Sequence, residues 1–444
     1  MKKARIYYAR MDEFWRKEEK LRHLEKLEHL RNVDWQEIKP NQKHTWLTDG
    51  LEDDFTNFIQ IGDKRYKSLS IELVRSIFHI FSHGNDSGRD DWVYNFRKQD
   101  VIHNSQKFAE VYNSEVERWH RSPKDISLDN FLISDETKIK WTRNAKRDLR
   151  IGHQIEFCES SVRQCLYRPF ILKFLFTGKI FNKEIALFPS IFPIPETEKE
   201  NQVICLPGIG NRKTFGVFIS RLILSLDFAF EKAQCFPFYT YDENGSNRKE
   251  NITDWALAQF QSHYQDPSIT KWDIFHYAYA VLHHPHYRTR YAANLKREFP
   301  RIPFAPDFRP FATVGQYLAD IHVHYEDQPE YRLKHQENKD LPIDWRVEKM
   351  RLSKDKTQLK YNDFLTLTGI PPEVFEYRLG NRSALDWVIN QYRIKTDKRS
   401  GITNDPNRLD DEQYIVRLIK KVITVSLETV KIVNGLPDLG LPKD

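Results

Sequence analysis

Metal-dependent nucleases need clustered carboxylates to hold a divalent ion and a lysine to help activate water. Glu37-Ile38-Lys39 has that acid–x–lysine spacing, with Asp34 nearby. The second acid is close in sequence, and Pro40 stops the strand that would present the pair. His276, His283, His284 and His286 form a second candidate group. No HExxH occurs, and no carboxylate stands at metal-ligand spacing from them. His283 and His284 follow an apolar run and precede Pro285, the pattern of a helix end. His322 and His324 are a further pair whose use as ligands depends on the fold. The residues predict neither a metal site nor a catalytic set.

Nucleotide and methyl-transfer chemistry leave no mark either. There is no GxxxxGK[ST] phosphate loop, no GxGxxG and no G-x-S-x-G. A base-flipping adenine methyltransferase would need an Asn-Pro-Pro-aromatic loop. Here Pro371-Pro372 follows Ile370 and precedes Glu373. No cofactor is expected in this chain.

What remains suits a grip on phosphate. The glycines of Pro207-Gly208-Ile209-Gly210-Asn211-Arg212-Lys213 could form a backbone anion nest or a plain hairpin turn. The densest basic stretch, 138–150, sets Lys138, Lys140, Arg143, Lys146, Arg147 and Arg150 against Asp148 alone. On a helix, Arg143, Lys146, Arg147 and Arg150 share one face. A solvated helix face is the blander alternative. Arg378, Asn381 and Arg382 precede Trp387, and Lys395, Lys398 and Arg399 follow it. Amides and hydroxyls among cations suit phosphate positioning and contacts to base edges. Bracing of the fold by Asn381 and Arg382 is the other reading. Residues 391–421 hold eight basic and five acidic side chains.

The elements that must position these residues are legible in part. Residues 11–31, with Phe14, Leu21, Leu24, Leu27 and Leu30, predict a helix with a narrow apolar stripe. Ile6-Tyr7-Tyr8-Ala9 and Trp92-Val93-Tyr94 predict short strands. The second half of 66–81 predicts a helix. Ile185-Ala186-Leu187-Phe188 and Val203-Ile204-Cys205-Leu206 read as strands bounded by Pro or Gly. Helices are expected over 273–282, 314–325, 384–392 and 414–433. Strands and helices without regular alternation predict an α+β fold.

Composition bounds the rest. The 444 residues imply several domains, and 40% hydrophobic against 30% charged residues is a globular balance. A net charge of +6 permits a nucleic-acid partner without requiring one. Four cysteines with no CxxC exclude a disulfide scaffold or a cysteine zinc site. The most apolar stretch, 215–230, is interrupted by Arg221 and Asp227 and is too short to span a bilayer. A soluble, cytoplasmic protein with no membrane partner is expected.

Several stretches carry a family resemblance. They are Gly88-Arg89-Asp90-Asp91-Trp92-Val93-Tyr94-Asn95, Leu166-Tyr167-Arg168-Pro169-Phe170, Asp273-Ile274-Phe275-His276-Tyr277 with Leu282-His283-His284-Pro285, and Leu295-Lys296-Arg297-Glu298-Phe299-Pro300-Arg301-Ile302-Pro303. The longest run passes through Gly380-Asn381-Arg382-Ser383-Ala384-Leu385-Asp386-Trp387 to Asn404-Asp405-Pro406-Asn407. In these the chain resembles the carboxy-terminal specificity region of type ISP restriction–modification enzymes. The resemblance implies recognition of a double-stranded DNA target in a phage-defence system, without catalysis by this chain. It implies partners carrying nuclease, ATP-driven translocase and adenine methyltransferase activities, which would bring S-adenosylmethionine, ATP and Mg. Residues 1–150 would adjoin the methyltransferase, and 151–444 would form the target-recognition domain, strand-rich first and helical later. Arg89 and Asn407 join the candidate DNA contacts from within the motifs. Motifs shared by enzymes with different targets cannot read bases, so base readers are expected at 205–215 or 241–251, where Asn211, Arg212, Lys213, Asn247 and Arg248 lie. A metal-dependent nuclease and a module docking through Leu21 to Leu30 are the alternatives.

Overall fold

Ile171-Leu172-Lys173-Phe174-Leu175-Phe176 is apolar throughout save for Lys173, as expected of a strand buried on both faces. The computed structural model describes residues 4–12, 15–40, 44–48, 50–123 and 126–442. In it this run is the strand Ile171–Phe176, inside a four-stranded sheet. Its antiparallel neighbours are Val162–Arg168 and Tyr94–Asn95, and Ile223–Leu224 pairs in parallel with the former. The 23-residue helix Lys98–His120 packs on this sheet through Val101, Phe108, Tyr112 and Val116, which are all buried.

A second sheet is antiparallel throughout. Its strands run in the order Ser82–His83, Gln234–Pro237, Val203–Leu206 and Phe218–Ser220. A third joins Lys334–Glu337, Leu365–Thr368, Gln358–Lys360 and Arg351–Leu352. The helices Lys271–His283 and Phe308–Val323 pack closely beside the second sheet. Their approach depends on Gly315, where a Cβ would stand 1.9 Å from the His276 carbonyl oxygen. The helix Tyr414–Asn434 buries Ile415, Leu418, Ile419 and Val422 along one face. The fold is α+β.

The chain divides into two compact units, residues 1–53 and 54–444. The boundary expected at 150 falls inside the second. The first unit pairs Ile6–Tyr8 with Gln36–Ile38, Ile6 opposite Ile38. Its helix is shorter than 11–31 and runs Lys17–Leu27. Leu30 starts a separate 3-10 turn, and Phe14 lies outside the described residues. No side chain of the helix is buried; Leu21 and Leu24 are each 49% exposed.

Three expected elements differ. The stretch 66–81 is not helical beyond single 3-10 turns, because its backbone is committed elsewhere. The amides of Ile77, Phe78 and His79 donate to the carbonyls of Gln60, Ile61 and Asn251. Trp92 and Val93 close a helical turn, Asp90–Val93, whose first-turn acids suit its N-terminus. Only Tyr94–Asn95 is extended. Residues 185–187 form a turn, and Pro189 helps to start the helix Phe188–Ile191.

Candidate nucleic-acid interface

Two basic segments far apart in sequence meet. The backbone amide of Thr214 donates to Asn381 Oδ1 at 3.3 Å, joining the 207–214 loop to the hairpin Arg378–Leu379 and Arg382–Ser383. Gly380 makes the hairpin turn at φ +65°, and a Cβ there would stand 2.7 Å from the Ala229 carbonyl. Lys213 Nζ reaches that same carbonyl at 3.4 Å. The hairpin leads into the helix Ala384–Gln391 through a capping box. Ser383 Oγ accepts from the Asp386 amide at 3.1 Å, and the Asp386 carboxylate accepts from the Ser383 amide.

The side chains on this surface divide by exposure. Arg212, Arg378, Asn381 and Arg382 are exposed. Arg212 pairs with Glu231 at 3.1 Å on the surface, an arrangement that a phosphate can exchange at little cost. Arg382 lies over the Trp387 ring at 4.9 Å, and the Trp387 indole donates to the Leu379 carbonyl at 3.0 Å. Asp386 and Trp387 thus brace the hairpin. Burial pushes the half-buried Lys213 ammonium below its usual range, with Asp227 and Glu231 opposing. Asn211 is buried and holds the loop, donating to the Lys213 carbonyl at 3.1 Å.

The basic stretch forms a second feature. Thr142 caps the helix Arg143–Arg150 by accepting from the Ala145 amide at 3.3 Å. Trp141, Arg143, Asn144, Lys146, Arg147 and Arg150 line a cavity of about 710 Å³ beside Asp129. Lys146 pairs with Asp129 at 2.5 Å and holds that carboxyl below its usual range. Lys140 precedes the helix and is half-buried. The hairpin Lys395–Thr396 and Thr403–Asn404 presents Lys395, Lys398 and Arg399 to solvent, with Arg399 3.7 Å from Glu136. Asn247 and Arg248 are exposed between two short strands, Arg248 paired with Glu200.

Arg89 and Asn407 are elsewhere. Arg89 is 1% exposed, so its side chain does not face a ligand across the surface. Asn407 is buried and clamps Val347, accepting from its amide at 2.8 Å and donating to its carbonyl at 2.9 Å. Both are buried within family motifs. Those motifs converge: Tyr167 donates to Asp90 at 2.7 Å, Asn95 to the Thr403 carbonyl at 3.1 Å, and Arg97 to Asp405 at 3.0 Å. Lys173, which sequence reasoning passed over, donates to Asn404 Oδ1 at 2.9 Å from within the sheet. A lone lysine in an apolar strand was the signal.

His283 and His322 are taken up by packing. His322 sits between the Tyr279 hydroxyl at 2.7 Å and the Thr429 hydroxyl at 2.8 Å. His283 Nδ1 lies 2.9 Å from the Tyr279 carbonyl. Desolvation pushes His276 down to about 4 and His322 down to about 3, so both are neutral near pH 7. Among the described residues no three His, Cys, Asp or Glu side chains group as a metal site. No described helix is long and apolar enough to cross a membrane.

The family model described as the Type ISP C-terminal specificity domain matches residues 76–419. No curated protein sequence matches the chain. Three solved structures are similar along nearly the whole chain. One is a nuclease-deletion mutant of the Type ISP restriction–modification enzyme LlaGI in complex with a DNA substrate mimic. It is 30% identical with a TM-score of 0.86, over 99% of this chain and 40% of that one. A DrdV–DNA complex is 35% identical with a TM-score of 0.87, over 98% and 44%. The ATP-dependent Type ISP enzyme LlaBIII bound to DNA is 27% identical with a TM-score of 0.86, over 99% and 28%. The chain therefore spans less than half the length of each of these proteins.

Proposed function

The chain belongs to the Type ISP C-terminal specificity domain family, and we propose on that premise that it recognises a target sequence in double-stranded DNA. The observation that carries the reading is the meeting of the 207–214 loop with the 378–383 hairpin, which brings together two segments that expose Arg212, Arg378 and Arg382. Cations there neutralise backbone phosphates and fix register. An amide side chain such as Asn247, in the 241–251 stretch, has the donor–acceptor pair that reads adenine edges. Arg143, Lys395, Lys398 and Arg399 add further positive charge.

In this reading the chain supplies the grip and other parts supply the chemistry. A methyltransferase, an ATP-driven translocase and a nuclease are its partners, and S-adenosylmethionine, ATP and Mg belong to them. Recognition that holds a duplex in register also serves base flipping by such a partner.

The test is selection of bound sequences from a randomised duplex pool at two salt concentrations. Affinity falling steeply with salt, together with an enriched site, is expected. Failure to bind any duplex at low salt would overturn the reading.

A further inference from the structure

The cavity beside the helix Arg143–Arg150 contains more positive charge than its neighbours neutralise. Lys146 is paired with Asp129, and Arg147 with Asp148 at 2.9 Å. Arg143 and Arg150 have no hydrogen-bonded carboxylate among the described residues, and both line the cavity. Trp141 supplies an apolar wall, its indole N–H already given to the Ile133 carbonyl at 2.8 Å. Thr142 and Asn144 complete the lining at the helix N-terminus, the positive end of its dipole.

Behind this wall lies an independent anomaly. The Arg89 guanidinium is buried, packed 4.5 Å from the centre of the Phe108 ring. It donates through Nη2 to Thr142 Oγ1 at 2.6 Å, while Nε and Nη1 have no partner among the described residues. No carboxylate among the described residues pairs with it. A buried cation without a counter-charge is costly, and such a cost persists where the charge acts on something nearby. Desolvation pushes Arg89 down to about 9, which leaves it charged at neutral pH. The guanidinium's one hydrogen bond among the described residues goes to the residue that caps the basic helix.

We propose that this cavity is a phosphate-binding site, with Arg143 and Arg150 as its ligands and Arg89 as the positioning residue that fixes Thr142 and the helix start. A phosphate is a compact acceptor that cations hold by charge-assisted hydrogen bonds. Its source is either a DNA backbone phosphate or a free phosphate compound. The first source deepens the DNA reading above, whereas the second is independent of it.

Tungstate, a phosphate mimic, tests the site on the full chain by anomalous diffraction and by calorimetry. A peak in the cavity is expected, with affinity falling at least tenfold in Arg143→Gln/Arg150→Gln. Arg89→Met should weaken tungstate binding, and Arg89→Lys should restore part of it. A merely structural role for Arg89 would instead lower the melting temperature and leave affinity unchanged in the folded variant, overturning its assignment. Duplex binding measured in parallel identifies the source. Joint loss of duplex and tungstate binding in the double variant points to a backbone phosphate. Retained duplex binding points to a free phosphate compound. Absence of tungstate from the cavity, or binding unaffected by the double variant, overturns the proposal whether or not the chain binds duplex.

Discussion

Thr214 and Asn381 are 167 residues apart, yet the amide of one rests 3.3 Å from the side-chain oxygen of the other. This bond sets the spacing between the cations on either side of it. Truncation of the cations and truncation of the spacer should therefore have different signatures. Arg382→Ala and Arg212→Ala should weaken binding about equally for all sequences. Each should reduce the slope of log affinity against log salt by about 0.9 for every phosphate it no longer neutralises. Asn381→Ala should change the preferred sequence more than the slope. Binding isotherms at four salt concentrations, with selection from a random pool, separate the two effects.

Asn407 makes the opposite prediction. Its amide satisfies both the N–H and the carbonyl of Val347. Asn407→Ala leaves those buried groups without partners, at a cost of about 1–3 kcal/mol. The urea midpoint should fall while the salt slope of duplex binding stays that of the parent. A changed slope with an unchanged midpoint would make Asn407 a DNA contact after all.

Gly315→Ala should be among the most damaging small substitutions. The added methyl would overlap the His276 carbonyl at 1.9 Å, and two packed helices would have to separate. A loss of about 1–3 kcal/mol or more is expected from such overpacking. Gly435→Ala is the control, because φ there is −94° and the nearest atom to a new Cβ is 3.4 Å away. Denaturant melts of the two variants should differ by more than the error of the method.

Lys173 predicts a pH dependence. Desolvation pushes its ammonium from 10.5 down to about 8, with Asp90 opposing. Between those values the unfolded chain binds more protons than the folded one, so Lys173 makes stability rise with pH. Below about pH 8 both states are protonated, and the contribution is flat. Lys173→Met should abolish this rise. The difference between parent and variant midpoints, measured from pH 7.5 to 10.5, isolates it from the tyrosines common to both. Parallel curves would remove Lys173 as the cause.

Legibility in the sequence followed how locally each element is determined. The helix Tyr414–Asn434 was readable because Ile415, Leu418, Ile419 and Val422 repeat at helical spacing and the structure buries that face. Val74, Ile77, Phe78 and Phe81 have the same spacing and are equally buried, yet they are not helical. The amides of Ile77 and Phe78 donate to the carbonyls of Gln60 and Ile61, a pairing that periodicity cannot reveal. At the candidate interface the basic segments were visible, but their meeting was not. Arg89 looked like a contact because it is an arginine within a family motif, and only the packing of Phe108 and Thr142 shows it to be interior. Arg150 stood in view on the basic face, and the cavity it lines with Trp141 emerged only from the fold.

The bond between Lys173 and Asn404 spans 231 residues. A ribosome working at about 5–20 residues per second needs roughly 10–50 s to traverse that distance. Throughout that interval Lys173 has been synthesised while its eventual acceptor has not. The amino-terminal half therefore emerges with an unfinished centre, and the last hairpin closes it. Translation pauses or truncations upstream of residue 404 should leave a chain that chaperones retain and proteases find, even though most of its strands have already been synthesised.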